Sequence, residues 1–192
     1  MARYVNKSNL TAGLVVAFFT FFVALLVGLG SEVLIKTVDN NFVSIILLLL
    51  IIFLGIFFDI IGTAATAASM PPFNARAAKK VSGAQQAVKI VQNADRVANF
   101  CNDVIGDIAG TLSGAIGAAI VINLADELGV SDLVLSSAVM TGLIASLTVG
   151  GKAIGKNVAV KNANCIIFRT AVVMNWWEKI TGIEFPKSRK GS

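Results

Sequence analysis

Residues 47–72 read LLLLIIFLGIFFDIIGTAATAASMPP. From Leu47 to Phe58 no side chain is polar, and then Asp59 follows directly. A carboxylate at bilayer depth costs about 2.5–3.5 kcal/mol on insertion scales, so such groups are usually paired or functional. The stretch therefore predicts a membrane helix that carries a polar site.

The rest of the chain agrees. Its 192 residues are 56% hydrophobic and 14% charged, with mean hydropathy +0.79; soluble domains carry about 25% charged residues. One soluble domain of this size could not bury that much apolar surface. There is no histidine, which removes the commonest general base and metal ligand. Cys101 and Cys165 match no metal or redox spacing and read as unpaired thiols.

A span needs about 20 apolar residues. Four segments qualify: 11–31, 42–69, 98–125 and 132–151. The first follows Arg3 and Lys7 like a signal peptide, but its apolar run exceeds the usual h-region of about 7–15 residues, so we read a retained helix. Every Lys and Arg except Lys36 lies in the N-terminus, in loop 70–97 or after the fourth span. The other loops, SEVLIKTVDNN (31–41) and LADELGVSD (124–132), hold acids instead. The positive-inside rule then places both termini in the cytoplasm of a multi-pass cell-membrane protein. The basic balance is explained by anionic headgroups, without nucleic acid.

Pro71-Pro72 is expected to stop the second span. Residues 74–92 predict one weakly amphipathic helix at the inner surface, with Val81, Val88 and Val91 on its apolar side. NANCIIFRTAVVMNWWEKITG (162–182), with Trp176 and Trp177, predicts an in-plane belt helix, a short fifth span being the alternative. Residues 182–192 read as a flexible cytoplasmic tail. The fold class expected is all-α and polytopic, with four transmembrane helices plus cytoplasmic amphipathic and belt helices. Residues 1–41 supply an extra helix and outer loop, and 42–181 the main domain.

Gly106, Gly110 and Gly114 repeat every four residues and line one face of the third span. Such faces let helices approach closely, either within one protomer or across a homodimer. Asp103 and Asp107 share a face near the same end, beside Asn102, and Asp59 lies at similar depth in the second span. Carboxylates, amides and carbonyls suit hard cations such as Mg²⁺ or Na⁺. The competing reading is an internal ion pair with Lys152, or acids that reach to the interface. The match to G-x-x-x-x-G-K at Gly150, Gly155 and Lys156 lacks the following Ser or Thr and the strand a phosphate loop needs, so no nucleotide is expected. No nucleophile elbow accompanies these residues, and no enzyme is expected.

At FFDIIGTAATAA (57–68) the chain resembles the transmembrane domain of the CNNM/CorC (CorB) family, which is linked to Mg²⁺ transport. Phe57, Phe58, Thr63 and Ala64 fit its F-F-S-G-S-E-T-A pattern. Gly83, Ala87, Asp95 and Arg96 fit the next block, Asn102 the G-N-N-L-V-N block, and Gly151, Lys156, Ala159 and Asn162 the last. The resemblance implies a homodimer with an ion site between core helices, built from Asp59, Thr63, Asn102 and Asp103, of which Asp59, Asn102 and Asp103 are the metal ligands. Against that pattern Asp59 and Ile61 replace two serines, Gly62 replaces the glutamate, and Lys152 replaces a second glutamate. Lys152 is then a gate or internal counter-ion. Paired CBS domains, usual in that family, are expected to be absent. The function expected is cation transport or cation binding, or else a transport-inactive subunit that assembles with another membrane partner.

Overall fold

The computed structural model describes residues 7–37, 41–128 and 132–182. The tail 183–192, the extreme N-terminus and the tips of the two acidic loops lie outside the described residues. Within them the chain forms α1 (Lys7–Thr37), α2 (Asn41–Ala67), α3 (Met70–Ala78), α4 (Ala84–Gln92), α5 (Ala94–Asn99), a π-helical segment (Phe100–Ile105), α6 (Gly106–Leu128), α7 (Leu133–Lys161) and α8 (Ala163–Thr181). No strand occurs among the described residues. Four stretches are long and apolar enough to cross a bilayer: Gly13–Gly30, Asn41–Ala67, Ala94–Ala125 and Leu133–Lys161. The protein is an all-α, polytopic membrane protein.

Helices α2, α6 and α7 pack on one another, and α1 leans on α6. Two apolar clusters result. One joins Leu48 and Ile52 of α2 to Ile108, Leu112 and Ile116 of α6. The other, built largely of alanines, joins the end of α2 to α3, α4, α7 and α8 around Phe73, Ile90 and Ile167. Small residues dominate there because five helices converge and backbones must come close.

Several expectations change in detail. Helix α7 runs ten residues past position 151, where the fourth span is expected to end, to Lys161, and takes in GGKAIGKN. Three glycines weaken a helix intrinsically, but here tertiary contact overrides propensity. Gly151 faces Ile56, and Gly155 lies so near Ile60 that a Cβ would sit 2.8 Å from its Cγ1. Gly110 and Gly114, by contrast, face nothing within 4 Å among the described residues, so no close helix approach inside the protomer is seen at either. The close approach of α2 to α6 occurs at Gly55 instead, where a Cβ would lie 3.0 Å from that of Ala109.

Pro71 and Pro72 start α3 rather than stop α2, which has already ended at Ala67. Proline suits a first helical turn because its missing N–H has no intrahelical partner there. The break is held by Ser69, whose backbone N–H donates to Asn164 Oδ1 at 2.8 Å. The amphipathic helix predicted over 74–92 is two helices, broken over residues 79–83 by Lys80 at φ 53° and Gly83 at φ 83°. A Cβ on Gly83 would lie 3.0 Å from Val172 Cα and 3.1 Å from its nitrogen, both backbone atoms of α8. Gly83→Ala therefore combines left-handed strain with a contact that cannot relax. We expect it to lower stability by about 2–3 kcal/mol, seen as a lower thermal midpoint and faster proteolysis across 79–83. Helix α8 packs on α4 and α2, and it is not among the stretches apolar enough to span.

Candidate ion site between α2 and the π segment

Between the two clusters lies a polar layer. Asp59, on α2, is 4% exposed. Lys152 of α7 reaches it, with Nζ 3.8 Å from Asp59 Oδ1. At that distance the pair is electrostatic and no hydrogen bond forms. Among the described residues, the second carboxylate oxygen, Oδ2, is buried without a hydrogen-bond partner, and so is Asn102 Oδ1. Buried acceptors are normally satisfied, so two orphans in one layer require an explanation.

Asn102 reaches this layer through backbone geometry. It lies inside the π-helical segment Phe100–Ile105. One extra residue in a turn shifts the helical phase, and such bulges recur at functional sites. The shift brings the Asn102 amide against Gly62, one turn beyond Asp59, so closely that any side chain at position 62 would collide with its Oδ1 and Cγ. Gly62 and Asn102 are thus a matched pair: the position where the family resemblance expects a glutamate holds no side chain, and the amide occupies that space. Lys152 closes the layer from α7, its Nζ 3.3 Å from where a Cβ on Gly106 would stand.

The predicted site residues divide. Asp59 meets Lys152, and Asn102 packs on Gly62, one turn further along α2. Thr63 is half-buried, one residue past Gly62 and one helical turn past Asp59. Asp103 is exposed and outside the buried layer, as is Asp107 one turn later. Asp107 shares an exposed face of α6 with Gly110 and Gly114, and Asp103 continues that face into the π segment. No group of three or more His, Cys, Asp or Glu that could hold a metal ion occurs among the described residues. The acid-only cluster suggested by Asp59, Asp103 and Asp107 therefore does not assemble. No periodicity in the sequence marks the π segment or the Gly62–Asn102 fit; the signal it does carry is that Gly62 and Asn102 both fall in blocks of the family pattern.

A layer of half-paired polar groups enclosed by apolar helices defines a membrane protein with an intramembrane polar site. Residues 45–183 match the family model for the Cyclin M transmembrane N-terminal domain, CNNM. The chain belongs to that family. The match begins after α1 and takes in α8. No curated protein and no solved structure matches the chain.

Proposed function

We propose that the protein binds, and as a transporter conducts, a hard cation such as Mg²⁺ or Na⁺ at the layer between α2 and the π segment. The observation that carries this reading is the pair of buried orphan acceptors, Asp59 Oδ2 and Asn102 Oδ1. A desolvated cation supplies what two acceptors lack, and an oxygen-only set fits a hard ion. Thr63 would add a hydroxyl from the same helix. Asp103, at the exposed edge, would attract the ion rather than hold it. Lys152 serves as a resident counter-ion that yields when the cation arrives.

A second reading is a transport-inactive membrane subunit that assembles with itself or with another partner. Lys152 beside Asp59 favours it, because an ammonium can replace an ion permanently. So does the exposed face that runs from Asp103 through Asp107, Gly110 and Gly114, where the two glycines face nothing within 4 Å among the described residues; a homodimer would cover it.

Thermal stability of the detergent-purified protein, titrated with Mg²⁺ or Na⁺ against choline chloride, separates the two. A bound ion stabilises by RT ln(1 + [L]/Kd), about 2.7 kcal/mol at one hundred times Kd. The transporter reading expects a saturable rise for the wild type, lost in Asp59→Asn and in Gly62→Ala, whose new methyl displaces the Asn102 amide. A flat wild type would sink that reading in favour of assembly.

A further inference from the structure

A second polar concavity lies away from the ion layer, between the α3–α4 connection and α8. It is an open depression of about 400 Å³, lined by Lys80, Ser82, Gln85, Gln86, Asn175 and Lys179, among others. Its floor is a fixed amide network. Gln86, 9% exposed, donates through Nε2 to Asn175 Oδ1 at 3.0 Å and to Glu178 Oε2 at 2.8 Å. Asn175 Nδ2 donates to Ser82 Oγ at 2.9 Å, which leaves the Ser82 hydroxyl hydrogen free to point outward.

What faces the cavity is rich in donors. Neither Lys80 nor Lys179 makes an ion pair among the described residues. The backbone N–H groups of Ser82, Gly83, Gln85 and Gln86 find no backbone acceptor among them. The carboxylate that shares this network, Glu178, is already engaged by Gln86. Two ammonium groups, a hydroxyl and unfilled amides around one cavity are complementary to a phosphate oxyanion.

Its surroundings say where that phosphate comes from. Trp176 and Trp177 lie between Asn175 and Lys179 on α8, 61% and 60% exposed. Tryptophan prefers the headgroup level of a bilayer. Val81, also lining the cavity, is 41% exposed and offers an apolar rim. The Lys and Arg asymmetry of the sequence puts this end of the bundle beside the anionic leaflet. We propose that the α3–α4 connection and α8 form a binding site for the phosphate of an anionic phospholipid headgroup.

The full chain in detergent micelles tests this, with phosphatidylglycerol, phosphatidylcholine or inorganic phosphate added. Bound lipid is counted by native mass spectrometry, and the thermal midpoint is followed in parallel. Phosphatidylglycerol is expected to bind saturably and raise the midpoint, with phosphatidylcholine at least tenfold weaker. Lys80→Gln with Lys179→Gln should weaken binding tenfold or more, while Lys161→Gln with Arg169→Gln, an equal charge change on the same end, should leave it intact. Both cavity lysines are exposed, so the lipid-free midpoint should stay near wild type; the Lys→Arg pair should bind even if it does not. Equal loss in the control pair would mean a diffuse field and overturn the site. Equal binding of phosphatidylcholine, or the same saturable shift from inorganic phosphate alone, would overturn the lipid assignment.

Discussion

Lys152→Met should cost about 3 kcal/mol in choline medium and make stability depend steeply on Mg²⁺ or Na⁺. The substitution preserves most of the side-chain volume and removes the charge. It strands Asp59, which is 4% exposed and whose Oδ2 already lacks a partner. Breaking a buried pair by removing one member typically costs about 3–5 kcal/mol, because the remaining charge stays desolvated. The lower end applies here: the Lys152 side chain is 25% exposed and the pair spans 3.8 Å, so water can follow into part of the gap. A cation bound by Asp59 and Asn102 would restore what the ammonium provided. The measurement is thermal unfolding of wild type and Lys152→Met across the same cation titration. A variant as stable as wild type in choline, and indifferent to both ions, would show that Asp59 carries no charge needing compensation. The ion-site reading would then fail. A responsive variant beside a flat wild type would show that lysine has taken the ion's place.

Phe73→Ala should cost about 3–5 kcal/mol and free α3 and α4 from the bundle. Phe73 is fully buried and is the largest side chain in a cluster otherwise made mostly of alanines. Alanine neighbours cannot repack into the void, since they have no rotamers to change. The cavity term is therefore expected at full strength. The helices it anchors are nine residues each, too short to persist without tertiary contact. Loss should thus be local first, appearing as proteolysis across 79–83 well below the global midpoint, in keeping with sub-global opening. Rescue by Phe73→Leu, partial and about half in size, would tie the effect to volume. Intact protease resistance in Phe73→Ala would show that α3 is held by other contacts, such as Arg76 over the Phe168 ring at 4.3 Å.

Much of the architecture was legible because a bilayer demands it. A helix that crosses lipid must be apolar along its whole length, so composition alone marks it, and four such stretches appear in the structure as in the sequence. The length of α7 is not legible locally, because the glycines and lysines after position 149 resemble a helix end. The deciding fact is that Gly151 and Gly155 are where Ile56 and Ile60 press against α7. Within the candidate site, Asp59 announced itself as the one acid deep in an apolar run. Asp103 did not behave as its spacing suggested.

The amino-acid sequence by itself determined that this is a membrane protein of four apolar helices, with nearly all its basic residues in alternate connections, and its family pattern runs through the helices that matter. Only the tertiary structure decided which polar groups meet. Whether Asn102 or Asp103 turns toward α2 depends on helical phase, and the π segment sets that phase by a single residue. No periodicity in the surrounding residues encodes such a shift. It is stable because Gly62 leaves the space into which the Asn102 side chain fits, a match between two helices forty residues apart that exists only once they have packed.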